Sequence, residues 1–501
     1  MGAAKTAKQR TMDAVQRAVL ARTPVAARRV RYHGAAGQAF ADAFQARSPQ
    51  AEVLLDATDG SAVEVLAADD LARLLADPGA DQLLGACDVV ATAIAGGTAN
   101  AGDLLKALTD RGFEVLHLQP LDEAEDYFDD SAQDIVHAWR EGKLVAAALP
   151  GALMVVARQG VGQPRMLLSM FTFVPSLMDI RTRLPALAMR SEPELLVQHR
   201  QPPGAPPDAP PDVPKVLVLQ RPAPPKDLDG WRAGALRRMQ AGWITVMEFD
   251  DHPLLTARTN GREVVEADWI RFSGVHAVQT TTPLLEDLFR GLNPETRLFP
   301  NAVFRLEKFP ENLPKRVFYG AVQRGAHATE VARALAPAIA VFPGVEFVVA
   351  GDRAVFDALP TQRKRFHPLL PYEEYLKLMG TCSISLSPIE DGEMFAAKSD
   401  AKFLDAAARG VLTIASPTIY ASVIRHGENG LIAPGIDDWA PMLVEALRDD
   451  ASRRRMARNA WEYVRGSRMF ADQVRLRHDW YRDLWRRRDE LNDALLQRLK
   501  A

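Results

Sequence analysis

SISLSPIEDGEMFAAKSDAKFLDAAARGVLTIAS, residues 383–416 of a 501-residue chain, is the stretch on which the fold turns. Apolar and small residues over 383–388 predict a buried strand, and a polar loop follows. The spacing then predicts a helix from about Ala396 to Arg409 and a second short strand ending at Ser416. A helix that starts just beyond a strand presents unpaired N–H groups and a positive dipole end, which favours an anion such as a diphosphate. Lys398, Ser399 and Lys402 fall in the first turns of that helix, where they add charge and hydrogen bonds. Asp405, three residues past Lys402, is placed to accept hydrogen bonds from ribose hydroxyls. The alternative for the three cationic and polar residues alone is a solvated first turn.

Outward from this stretch, the same alternation recurs. Short β-branched or apolar runs at 216–220, 244–249, 275–279, 316–321, 346–351, 383–388 and 412–416 predict strands, with helix-length amphipathic stretches between most of them. Continuous apolar strands separated by helices indicate parallel sheets covered on both faces, so the expected class is α/β, doubly wound. Seven prolines in QPPGAPPDAPPDVPK (201–215) suit neither a helix nor a central strand and read as a spacer. The expected organisation is a basic segment (1–24), a Rossmann-like N-terminal domain (25–200), a proline-rich linker (201–214), two further domains (215–310 and 311–468) hinged near ENLPKR, and a C-terminal helix (469–501).

Composition narrows the function. Lys+Arg number 61 against 64 Asp+Glu, so the basic excess expected of a nucleic-acid-binding protein is missing. Two cysteines, Cys87 and Cys382, provide neither a disulfide framework nor a zinc ligand set. No apolar stretch reaches the roughly 18 residues needed to cross a bilayer, and the N-terminus lacks the apolar core of a signal peptide, so a cytoplasmic protein is expected. Arginines interleaved with tryptophans near the C-terminus read as a solvated helical face, with peripheral contact to anionic lipid at the inner membrane surface as the alternative.

LDAAARGVLTIAS (404–416) and HGENGLIAP (426–434) give the pattern a specific likeness. They resemble the donor half of GT-B glycosyltransferases, in particular the retaining family with a Glu-(seven residues)-Glu motif followed by A-x-A-x-G-V-P-V-I-A-S. The likeness extends over about 215–468. It implies two Rossmann-like domains facing a cleft, with an additional N-terminal α/β domain. It also implies a nucleotide-sugar donor, a glycan or glycoprotein acceptor, retention at the anomeric carbon and no metal or other cofactor. Asp405 falls on the second glutamate, the one that holds the ribose, and Ala397 on the first, which contacts the sugar; Glu393 or Asp391 upstream is the substitute. Arg324, after the strand-like RVFYGA, matches the basic residue on the diphosphate, and Leu370 to Tyr372 match the segment that cradles the base.

On the acceptor side, ITVMEFDDHP (244–253) predicts a strand running into Asp250, Asp251 and His252. His252 or Asp250 would orient or deprotonate the acceptor, while Lys402 steadies the departing diphosphate. A helix cap at Asp250 or Asp251, or a divalent-metal acid pair, are the rival readings. In the N-terminal part, Gly34, Gly37 and the strand ending at Asp56 resemble a worn S-adenosylmethionine methyltransferase fold, read as a catalytically silent module. A scaffold that keeps only a sugar-nucleotide pocket, and a bifunctional methyltransferase–glycosyltransferase, stand as the other functional readings.

Overall fold

The computed structural model describes residues 12–55, 61–95, 101–120, 153–160, 165–206, 209–322 and 324–500. The chain divides into two compact units: Met1–Gln220 with Arg237–Thr245 and Phe470–Glu490, and Arg221–Leu236 with Val246–Met469 and Leu491–Ala501.

In the first unit, β1 (Arg29–His33), β2 (Glu52–Leu55), β3 (Val63–Ala68), β4 (Cys87–Ile94), β5 (Phe113–Pro120) and β6 (Leu153–Gln159) form a sheet in the order β2-β1-β3-β4-β6-β5. The first four strands are parallel, and β6 runs antiparallel to both β4 and β5. Successive side chains of a strand point to opposite faces. Val65 and Ala67 accordingly pack with Phe40 and Phe44 on one side, and Leu66 and Ala68 with Leu71, Leu74 and Leu105 on the other. Both faces are covered at β3, where Glu64 alone interrupts the apolar run, whereas β1 carries Arg29, Arg31 and His33 and the edge strand β2 is only partly buried. Asp56, the acid expected at the end of the second strand, lies outside the described residues, as do 143–152 of the run that ends in β6.

A second ladder of this unit corrects the expected domain boundary. β7 (Met166–Thr172) is parallel to β8 (Leu195–Arg200) on one side and to β9 (Lys215–Gln220) on the other. The proline run therefore joins two strands of one sheet instead of separating independent domains at 200 and 215. Proline cannot donate to a ladder, and it is the strands at the two ends of the run that pair with a common neighbour. Lys215 anchors it, its ammonium donating to the carbonyls of Ala209 (2.7 Å) and Pro210 (2.5 Å).

The C-terminal pattern forms two helices, Phe470–Arg486 and Arg488–Lys500, in place of one. Trp480, Tyr481, Leu484 and Trp485 are all buried, and the first helix packs on the helix Leu184–Arg190 and on β9. Those tryptophans are core residues, which removes the motive for a lipid-facing surface here. Among the described residues no helix is long and apolar enough to cross a membrane.

In the second unit, residues from Val246 onward in β10 (Ile244–Glu248), with β11 (Ala277–Thr280) and β12 (Thr296–Leu298), form a parallel ladder. β13 (Arg316–Gly320), β14 (Glu346–Ala350), β15 (Lys364–His367), β16 (Ile384–Ser387), β17 (Leu412–Ala415) and β18 (Leu431–Ile432) form an all-parallel sheet in the order β15-β14-β13-β16-β17-β18. Strand order reverses between β13 and β16, the place where a doubly wound sheet opens a crevice at the carboxyl ends of its strands. Gly410 ends the helix before β17 at φ 67°, and a Cβ there would lie 2.5 Å from Pro310, so both backbone and space require glycine.

Candidate functional site

The loops after β13 and β16 carry the cationic residues expected from the sequence, and they do so at the switch point. The helix is not the one expected. A short turn, Glu393–Ala396, is followed by a non-helical link over 397–400, and a seven-residue helix runs from Ala401 to Ala407. Lys398 and Ser399 therefore lie before the helix, and only Lys402 falls in its first turn. Asp400 at the start of that helix makes no side-chain cap, because its carboxylate is bound elsewhere.

That carboxylate belongs to a strap of four consecutive residues tied to the β10–β12 side of the unit. The Ala397 carbonyl accepts from Thr282 Oγ1 (3.1 Å), and Lys398 Nζ pairs with Asp251 (3.1 Å). Ser399 Oγ accepts from Asn301 Nδ2 (2.7 Å), and Asp400 takes both terminal nitrogens of Arg468 (2.6 and 3.0 Å). Arg468 also donates to the Asn301 carbonyl at 2.9 Å, closing the arrangement. Ala397 itself is 2% exposed and packs among Met247, Phe249, Phe272, Leu285 and Phe289. The position matched to the motif's first glutamate thus faces an apolar core, where a carboxylate would be strongly disfavoured.

Arg324, Lys398 and Lys402 lie close enough for both of the others to repel the Lys402 ammonium. Burial first, then that repulsion, pulls Lys402 down to about 8, with Asp405 opposing the shift. Its Nζ reaches the Tyr375 hydroxyl (3.3 Å) and sits 4.9 Å from that ring. Among the described residues the buried Arg324 Nη1 has no hydrogen-bond partner. Arg324 stands at the start of the helix Gly325–Ala334, which has no side-chain cap. Asp405 is 7% exposed, its carboxyl pushed up chiefly by burial, and its Oδ1 accepts from the Tyr372 hydroxyl at 2.6 Å. Leu370 is half-buried in the loop after β15, two residues before Tyr372.

The acids after β10 are already engaged. Arg221 lies 3.4 Å from Asp250 and 3.7 Å from Asp251, so Asp251 stands between Arg221 and Lys398. Arg221 adopts φ 51°, a left-handed conformation uncommon outside glycine. Neither aspartate caps the next helix: His252 does, its Nδ1 accepting from the Leu254 N–H at 3.2 Å. A neutral His252 so used carries its proton on Nε2 and presents a donor. Burial lowers its pKa, with Asp251 and Glu393 pulling the other way, which places the exposed Glu393 within charge range of it. The His252 Nδ1 lone pair is thus already used within the chain, and Nε2–H is what the ring has left to offer.

Sequence reasoning missed Arg221, Asn301 as a ligand of Ser399, Tyr375 and Arg468. Arg221 follows an apolar strand, as Asp250 does, and the rule applied to the one would have found the other. Arg468 carried no signal for this role, since Asp400 and Asn301 lie 68 and 167 positions away. HGENGLIAP proves to be a structural turn: Asn429 is buried, accepts from the Arg425 N–H (2.7 Å) and donates to the Val423 carbonyl (3.1 Å).

The glycine loop of the N-terminal sheet is filled by its own chain. Asp69 accepts from the Ala35 N–H (2.8 Å), the Tyr32 hydroxyl (2.5 Å) and Gln16 Nε2 (3.1 Å). A Cβ on Gly34 would lie 2.5 Å from that carboxylate, so the glycine makes room for Asp69.

With this geometry in hand, the comparisons with known proteins bear on the same region. Residues 327–476 match a family model described as glycosyl transferase-like. No curated protein matches the sequence. Among solved structures, sucrose-phosphate synthase from Thermosynechococcus elongatus is 15% identical over 64% of this chain and 99% of its own, with a TM-score of 0.47. Anabaena HepE in complex with UDP-glucose is 15% identical over 63% and 100%, with a TM-score of 0.42. A variant of S. aureus TarM, in complex with UDP, alpha-GlcNAc-glycerol and fondaparinux, is 11% identical over 53% of this chain and 55% of its own, with a TM-score of 0.39. The chain thus spans about half the length of TarM. The glycosyl transferase-like segment includes Leu370, Tyr372, Glu393, Lys398, Ser399, Lys402 and Asp405, and begins just after Arg324.

Proposed function

We propose that the second unit is a GT-B glycosyltransferase that moves a sugar from a nucleotide-sugar donor to a glycan or glycoprotein acceptor, with retention and without a metal, in the cytoplasm. One observation carries the reading: Arg324, Lys398 and Lys402 are held together at the β13/β16 switch point although they repel one another. Like charges kept close in a partly buried place are balanced by an anion, and a diphosphate supplies one. As the sugar–phosphate bond breaks, charge grows on the leaving oxygen, and fixed cations stabilise it without reorganising. Asp405 and Tyr372 serve the ribose, and Leu370 with its neighbours the base. His252 donates through Nε2–H to the acceptor, while Asp250, steadied by Arg221, is the carboxylate that takes its proton. The Lys398–Asp251 pair opens as the diphosphate arrives, since phosphate competes for the ammonium.

The test is calorimetric titration of the full chain with UDP, GDP, ADP and dTDP. At least one should bind, and Arg324→Ala should weaken it by about 10- to 100-fold, the worth of a charge-assisted hydrogen bond. A flat response to all four refutes the reading.

A second reading, a non-catalytic nucleotide-binding scaffold, is favoured by Ala397, which gives the sugar no carboxylate at the motif position. Turnover of a bound nucleotide-sugar separates the two. For the N-terminal module we propose a silent Rossmann-like unit, because Asp69 takes the loop N–H group a cofactor would use.

A further inference from the structure

Resting on the donor-site reading above, we propose that Tyr372 is the group that reads the ribose of a nucleoside diphosphate, with Asp405 as a positioning residue behind it. Asp405 sits in the middle of the helix Ala401–Ala407 and is 7% exposed, whereas Tyr372 is the more exposed of the pair. The Tyr372 hydroxyl lies 2.6 Å from Asp405 Oδ1. Tyr372 is thus the partner of the two that keeps more surface for a ligand to touch.

The chemistry of the pair agrees with that order. Aspartate is one methylene, about 1.5 Å, shorter than the glutamate of the resembled motif. The tyrosine hydroxyl restores the lost reach. A phenol has a single proton and retains acceptor lone pairs. Here the proton is committed to Asp405, so what the oxygen can offer a further group is an acceptor, the complement of a sugar hydroxyl that must donate. Donation to a carboxylate also polarises the oxygen and strengthens it as an acceptor.

The ring is held in place. Tyr375 stacks beside Tyr372 with centroids 6.3 Å apart and planes 15° apart. Tyr375 is in turn fixed by the edge of Phe318 and by Lys402. Tyr372 begins the helix Tyr372–Met379, so its backbone is ordered as well.

The experiment is calorimetry on the full chain with UDP, GDP and ADP, each beside its 2′-deoxy and 3′-deoxy counterparts. The wild type should bind its preferred nucleotide about tenfold more tightly than at least one deoxy form, as expected for loss of one hydrogen bond. Tyr372→Phe should bring that ratio close to one while leaving affinity for the deoxy form unchanged, and this second value reports that the pocket is intact. Asp405→Asn, which still accepts from the phenol, should keep part of the ratio. A ratio in Tyr372→Phe that is unchanged assigns the contact to Asp405 directly and overturns the proposal. A ratio that grows shows the phenol to be a cover over Asp405, with the same consequence. If some nucleoside diphosphate binds but neither hydroxyl matters, this assignment falls and the donor site stands; if none binds, both fall.

Discussion

Replacing Lys402 by methionine should make the protein more stable and a worse binder at the same time. The folded chain pulls this ammonium from 10.5 to about 8, which corresponds to about 3 kcal/mol of cost in holding it charged. Partial exposure reduces that figure. The variant also gives up a 3.3 Å hydrogen bond and a cation–ring contact with Tyr375, together about 1 kcal/mol. Methionine keeps most of the apolar stem, so a net gain of about 1–2 kcal/mol is expected at pH 6.5. The sign with pH is fixed by linkage. Because the folded pKa is below the unfolded one, the unfolded chain binds more protons between about pH 8 and 10.5, and wild-type stability rises with pH across that window. Urea unfolding followed by tryptophan fluorescence at pH 6.5, 8 and 9.5 should show the gap between variant and wild type narrowing as pH rises. Calorimetry should show nucleoside diphosphate affinity reduced at least tenfold. A variant that is less stable at pH 6.5, or a gap indifferent to pH, would refute the picture of a strained cation waiting for an anion.

Two further substitutions probe the strap. Ala397→Glu restores the motif acid but drives a carboxylate into the Met247/Phe249/Phe272 cluster, so urea unfolding should report a loss of more than about 3 kcal/mol and no gain in transfer; unchanged stability would mean that the side chain faces water. Asp400→Ala leaves the Arg468 guanidinium without its carboxylate and should lower stability by about 3 kcal/mol, with Asp400→Asn recovering part of it; a loss under 0.5 kcal/mol would show the pair to be no more than a surface contact.

Most strands of the second unit were legible because parallel strands buried on both faces leave an apolar signature, as in VFYG of β13 and FVVA of β14, whereas the short strands β12, β15 and β18 carry too few apolar residues to stand out. β7 was not, because MLLSMFT is rich in residues that suit a buried helix equally well. Missing it made the proline run look like a boundary. At the site, residue types announced the chemistry but not their partners. Lys398 reads as a phosphate ligand and is found paired with Asp251, 147 positions earlier. His252 reads as a base, yet its Nδ1 serves the Leu254 N–H, a local choice that depends on backbone angles. The helix start moved from Ala396 to Ala401 because tertiary bonds to Thr282, Asp251 and Asn301 outcompete helical ones over 397–400.

Those tertiary bonds bear on how a substrate would come and go. The hinge expected near ENLPKR presupposes two halves that swing freely, whereas Ala397, Lys398 and Ser399 tie the β16 loop to the β10–β12 side and Asp400 ties it to Arg468. A loop pinned at four points keeps its course whether or not a ligand lies beside it, so admitting an anion costs the single ion pair at Lys398 and not a swing of the backbone.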